Sequence, residues 1–180
     1  MSQASKNVDW CLKKAEQEIK ECKKLGKRLK HRGLIKTEPN IEEAKNHIKK
    51  AEENILFANS IDLNQFGFKA IESLFYSFYH CFLAIAARFG YESGNQTCTM
   101  SLIEYPIEEN KIGLNKKFID MMKYEDEQES RCPSIIQMRE DYTYGVEISV
   151  EKNKINELFE TCRELIEATK IMIYKDIKVY

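Results

Sequence analysis

Arg139 opens the densest polar and aromatic cluster outside a strong helical pattern, with Asp141, Tyr142 and Tyr144 close behind it and Gly145 after them. An arginine can grip a phosphate through two parallel hydrogen bonds, and a tyrosine ring can stack on a base, so these residue types fit a nucleotide or RNA contact. The plainer reading is a structured turn, in which Gly145 permits the bend and Arg139 pairs with an acid such as Asp141. Asn95, followed by Gln96, Thr97 and Cys98, offers a second polar segment that either lines a cleft or simply connects two helices. His31, His47 and His80 are the three histidines. His80 invites a catalytic role, but a histidine on an aromatic helix beside small residues is expected to be packed, with its ring hydrogen-bonded. Tyr76 and Tyr79 are read as amphipathic residues bonded to polar groups in or near the core, without a catalytic role.

Charge supplies a further candidate. Residues 1–36 hold eleven Lys/Arg against four Asp/Glu, a net of +7, while the whole chain sums to −1, which leaves −8 on residues 37–180. Lys23, Lys24, Lys27, Arg28, Lys30 and Arg32 form the basic end of this arm. Such an arm suits an anionic partner such as RNA, or an acidic surface of its own kind. A solvated, lysine-rich helix face is the bland alternative. Few aromatics interleave there, so RNA would be held by charge rather than by stacking.

The cysteines, Cys11, Cys22, Cys81, Cys98, Cys132 and Cys162, show no close metal-ligand spacing. Cys11 and Cys22 lie about 16 Å apart along a helix, too far to share an ion. Reduced thiols in a cytoplasmic protein are the simplest expectation, with Cys81 acting as a small hydrophobe. Nothing implies a metal or a cofactor. The apolar run Phe82–Ala87 is far shorter than a membrane span, and the N-terminus lacks the order of a signal peptide, so no membrane is expected.

The elements that position these groups read as helices. Between Phe66 and Tyr91 lie nine of the nineteen aromatics, and Ile71, Leu74, Phe75, Phe78, Phe82, Ile85 and Phe89 recur at helical steps. Tyr76, Tyr79 and Leu83 lie off that stripe, so this helix must be surrounded. Asp62 and Gly90 mark its ends. Its stripe of small residues, Ala70, Ser73, Ser77, His80, Ala84 and Ala87, predicts close approach of another helix, in cis or across a dimer. A first helix carries a seam from Leu12 to Leu29 and is expected to stop at His31–Gly33; a second begins at Asn40, whose Glu43 completes a capping box. Ser101 and Glu104 suggest a short helix ended by Pro106. Phe118, Met121 and Met122 suggest another, followed by the acidic run Glu125–Glu129. Pro133 starts a short helical piece that gives way to a turn over residues 141–149, before a long last helix seamed by Ile155, Leu158, Cys162, Leu165, Thr169 and Met172. The expected fold is all-α, an up-and-down helical bundle of five to six helices around the central aromatic helix, with residues 1–40 as a basic extension and 41–180 as the bundle.

Three stretches carry a family likeness: AKNHIKKAEENILFANSI, AIESLFYSFYHCFLAIAARFGYES, and MREDYTYGVEIS ahead of the closing helix. Together they resemble the HEPN domain family of archaea and bacteria, over about residues 41–178. The resemblance implies a helical bundle, a homodimer, and often a neighbouring nucleotidyltransferase as partner in a toxin–antitoxin pair. Many family members are metal-independent ribonucleases with an arginine followed after four to six residues by a histidine, a pairing suited to proton transfer and phosphate stabilisation. Here no arginine precedes a histidine at that spacing, and after Arg139 the chain offers Asp141, Tyr142 and Tyr144 instead. The expected function is therefore a non-catalytic or non-standard HEPN-type protein that binds a nucleotidyltransferase, RNA or a nucleotide. The alternatives are a ribonuclease using Arg139 with Tyr142, Tyr144 or Asp141, and a purely structural interaction protein. The same resemblance makes Tyr142 or Tyr144 a candidate for nucleotidyl modification.

Overall fold

Ala44, Ala51 and Ala58 recur every seventh residue and, with Ile48 and Ile55, give helix α2 (Ile41–Ser60) an apolar seam with low relief. Helix α3 (Leu63–Arg88) turns its small-residue stripe to that seam. The backbones come close enough for the Ser77 hydroxyl to donate to the Ala51 carbonyl at 2.7 Å. In the computed structural model, which describes residues 2–124, 134–145 and 151–174, the neighbour foreseen for the small stripe is thus a helix of the same chain. Ser73 meets Asn54, Ser77 meets Ala51 and His80 meets His47, so α2 and α3 run antiparallel.

Asp62 caps α3 by accepting from the Asn64 amide, and Gly90, at φ 76°, ends it in the left-handed region that glycine adopts freely. The backbone kinks at Phe66. Phe78 and Phe82 are fully buried, worth roughly 1.5–3 kcal/mol each by removal from water. This helix is long and apolar enough to cross a membrane by length and composition, yet 72% of that stretch is buried within the fold. The long helix α7 (Lys152–Tyr174) closes the core, burying Ile155, Leu158, Cys162, Leu165, Thr169 and Met172 as the seam predicts. Helix α6 (Ile135–Tyr144) also packs on α3. The chain is an all-α bundle around the aromatic helix, with seven helices and one small sheet among the described residues.

Several expectations need correction. Helix α1 (Gln3–Lys24) stops at Leu25 and Gly26, the latter at φ 61°, rather than at His31–Gly33. Leu29, placed on its seam by spacing, lies beyond it and is 54% exposed. The buried seam is Ala4, Val8, Cys11 and Ala15. The chain then doubles back into strand β1 (Leu34–Lys36), which pairs antiparallel with β2 (Tyr91–Ser93), Ile35 opposite Glu92. Helix α4 (Gln96–Glu108) starts earlier than expected, capped by Asn95, and contains Pro106. The helix around Phe118 is a single turn, α5 (Lys117–Asp120). Helix α6 carries on through Asp141, Tyr142 and Tyr144, where a turn was expected, and Gly145 sits just past its end. The acidic run 125–129, Cys132, Pro133 and residues 146–149 lie outside the described residues.

The boundary at residue 40 is not a gap in packing. Val8, Cys11 and Leu34 share a buried cluster with Ala86, Cys98 and Leu102. A disulfide joins Cys11 to Cys98, so this pair is not reduced as expected; α1 and α4 set the two Cα atoms 5.8 Å apart, across a sequence separation of 87. Gly33 lies so close to α1 that a Cβ there would stand 2.1 Å from the Cys11 carbonyl oxygen and 2.7 Å from the Ala15 nitrogen.

Candidate functional site

Helix α6 holds four of the candidates, Arg139, Asp141, Tyr142 and Tyr144, on its middle and last turns. Ser134 caps it by accepting from the Gln137 amide, which fixes the helix start and so the direction of every later side chain. Arg139 then lies over the Phe75 ring, its guanidinium carbon 4.2 Å from the ring centre. It pairs with Glu140 at 3.3 Å, not with Asp141. Glu140 also accepts from the Tyr124 hydroxyl at 2.9 Å, while Asp141 accepts from Gln137. The guanidinium is thus stacked on one face and neutralised at one edge, which reduces its reach for a phosphate. Tyr142 packs against the core, whereas Tyr144 is 81% exposed. The sequence-predicted cluster therefore divides: Arg139 and Tyr142 join the bundle, and Asp141 and Tyr144 face outward.

Asn95 stands elsewhere. Its side-chain oxygen accepts from the Cys98 amide at 2.8 Å, capping α4, and its amide nitrogen donates to the Arg32 carbonyl at 2.5 Å. That second bond ties α4 to the basic turn between α1 and β1. The turn is anchored again where the Arg32 amide donates to Glu18 and where His31 meets Glu92 at 3.1 Å. The Cys11–Cys98 bridge sits below. Lys23, Lys24, Lys27, Arg28, Lys30 and Arg32 are all exposed or nearly so at this end of the fold, and none of the six forms an ion pair among the described residues. The charge run is thus a fixed ridge with unneutralised cations.

His80 and His47 form the one histidine pair. Their Nδ1 atoms lie 3.0 Å apart and their rings stack at 5.2 Å. One Nδ1 must carry a proton and donate while the other accepts, so the contact tolerates a single shared proton. Burial first, then the His47 charge and Lys50, pushes His80 down to about 4; burial and Lys50 lower His47 as well. The packed, hydrogen-bonded histidine expected at position 80 is what occurs, with a partner that the sequence did not identify.

The free thiols in the core are poor nucleophiles. Burial pushes Cys162 up to about 12 and raises Cys81 as well, and the Cys162 sulfur lies 3.1 Å from the Ser77 hydroxyl. One feature escaped sequence reasoning altogether: an apolar cleft of about 640 Å³ between the C-terminal ends of α3 and α7, helix α4 and the turn at 110–113. Its walls come from four separate stretches, so no local signal could announce it. Compared with protein-family models, with curated proteins and with solved structures, the chain matches none.

Proposed function

We propose that this chain is a non-catalytic helical binding protein that captures a polyanion, RNA foremost, on the ridge formed by Lys23, Lys24, Lys27, Arg28, Lys30 and Arg32. The observation that supports the reading is the state of these cations: exposed, unpaired among the described residues, and held in place by the Asn95 and Glu18 contacts and the Cys11–Cys98 bridge. Fixing such a turn before binding lowers the ordering cost that a flexible basic tail would incur. Tyr144, the most exposed tyrosine of the α6 cluster, lies on a different element, so the ridge acts by charge. The HEPN-like sequence features point the same way, toward RNA or a nucleotide. A nucleotidyltransferase partner and a homodimer rest on that resemblance alone and belong to the same proposal.

The reading is tested with a fluorescently labelled single-stranded RNA, monitored by anisotropy and then by denaturing gel. Lys27→Glu/Arg28→Glu/Lys30→Glu is expected to abolish binding at moderate salt, while Arg139→Ala binds as the wild type does. The RNA is expected to remain intact. Undiminished binding in the triple variant would overturn the proposal, as would cleavage that depends on Arg139.

A further inference from the structure

The cleft of about 640 Å³ has walls made by Ile85, Phe89, Leu102, Ile103, Ile112 and Met172. Its size falls within the usual range, roughly 300–1,000 Å³, of pockets that enclose small organic ligands. The rim is different. Pro106 interrupts the end of α4, and its carbonyl accepts from both the Lys111 and Ile112 amides, at 2.8 and 3.3 Å. Asn110, at φ 52°, completes the tight turn. That turn places Lys111 at the mouth, its ammonium 5.0 Å from the Tyr105 ring centre and 3.4 Å from the Tyr105 hydroxyl. Among the described residues the nearest carboxylate, Glu109, stands at 3.9 Å, the outer limit of an ion pair. Lys111 and Tyr105 thus present two hydrogen-bond donors at the edge of an apolar chamber, with only a weak internal competitor.

We infer that this cleft is a binding site for a small amphipathic monocarboxylate, a single-chain fatty acid or an aryl-alkyl acid, whose apolar body lies along Phe89, Leu102 and Met172 and whose carboxylate meets Lys111 and the Tyr105 hydroxyl. An apolar molecule without the acid would leave the rim donors to water, and a wholly polar one would desolvate its own groups against Ile85 and Ile103. The site lies on other residues than the basic ridge and stands or falls independently of it.

The probe is sodium decanoate, kept below its micelle-forming concentration, with 1-decanol as its uncharged counterpart. The full chain, methyl-labelled at isoleucine and methionine, is titrated by NMR. Decanoate is expected to shift Ile85, Ile103, Ile112 and Met172 and to leave Ile48 and Ile55 unmoved. Lys111 is exposed, so its variants fold. Lys111→Gln should weaken decanoate about tenfold, the loss of one charge-assisted hydrogen bond at a wet rim, and Lys111→Arg should restore it. Decanol should bind less tightly than decanoate and show no response to Lys111→Gln. Absence of shifts at the cleft, or equal affinity of wild type and Lys111→Gln for decanoate, would overturn the assignment.

Discussion

Removing the Cys11–Cys98 bridge offers the sharpest test of how the first forty residues belong to the fold. The bridge closes a loop of 87 residues. For that length, the chain-entropy model gives the unfolded state about 4.6 kcal/mol more freedom once the link is cut. Both sulfur atoms are buried, so a Cys11→Ala/Cys98→Ala chain also loses a small amount of packing, on the order of 1 kcal/mol. Together, a loss of about 5–6 kcal/mol in a chain of this size lowers the melting temperature by roughly 10–24 °C. The assay is thermal unfolding followed by circular dichroism, with the wild type measured before and after reduction and the double variant measured both ways. The wild type should fall to near the variant's midpoint on reduction, and the variant should ignore the reductant. Intact-mass analysis with thiol alkylation should find two fewer reactive cysteines in the unreduced, denatured wild type than in the reduced one. If the mass shows the bridge but its loss leaves the midpoint unmoved, the idea that it constrains the unfolded chain is wrong. If alkylation finds every thiol free, the bridge itself is refuted.

Other predictions follow from single contacts. The unfolded chain binds a proton at each imidazole near pH 6.5, whereas the folded His47–His80 pair resists protonation, His80 down to about 4. The stability from this contact is therefore complete above about pH 6.5 and is lost as pH falls toward 4. For His80 the full shift corresponds to about 3 kcal/mol, which partial exposure and screening reduce to about 1–2 kcal/mol. Urea midpoints measured across that range should fall less steeply in His47→Gln/His80→Gln than in the wild type; parallel slopes would remove the pair as the cause. Gly33→Ala should cost about 1–3 kcal/mol, because the new methyl must push β1 away from the α1 backbone. Gly113→Ala, with nothing within 4 Å of its Cβ, should melt close to the wild type and serves as the control.

What the sequence revealed follows from the range of each signal. The aromatic helix was legible end to end, because Asp62, Gly90 and the apolar stripe are local and agree. Its small-residue face announced a close helical neighbour, and the Asn40 capping box marked where that neighbour starts. The end of α1 was misread because Leu29 kept the seam in step beyond Gly26, and spacing alone does not show where the backbone leaves the helix. Three-residue strands are too short to display an alternating period, so β1 and β2 gave no warning. Cys11 and Cys98 are joined only by tertiary packing. Over residues 141–144, polar and aromatic residues of modest helix propensity suggested a turn, yet Arg139 on Phe75 and Tyr142 against the core hold the helix through Tyr144. The same contacts explain why a cluster that looked suited to phosphate became largely structural. The basic ridge was legible as charge, though not as a fixed surface, because its anchors Glu18, Glu92 and Asn95 come from three different elements.

The salt dependence of RNA binding tests the central claim most directly. Six phosphate contacts to a single strand predict a slope of about −4 in a plot of log affinity against log salt, from roughly −0.7 per contact. Lys27→Glu/Arg28→Glu/Lys30→Glu should reduce that slope to about −2 or less, and Arg139→Ala should leave it near −4. A slope near zero, or one that falls with Arg139→Ala and not with the triple variant, would contradict a binding surface built on residues 23–32.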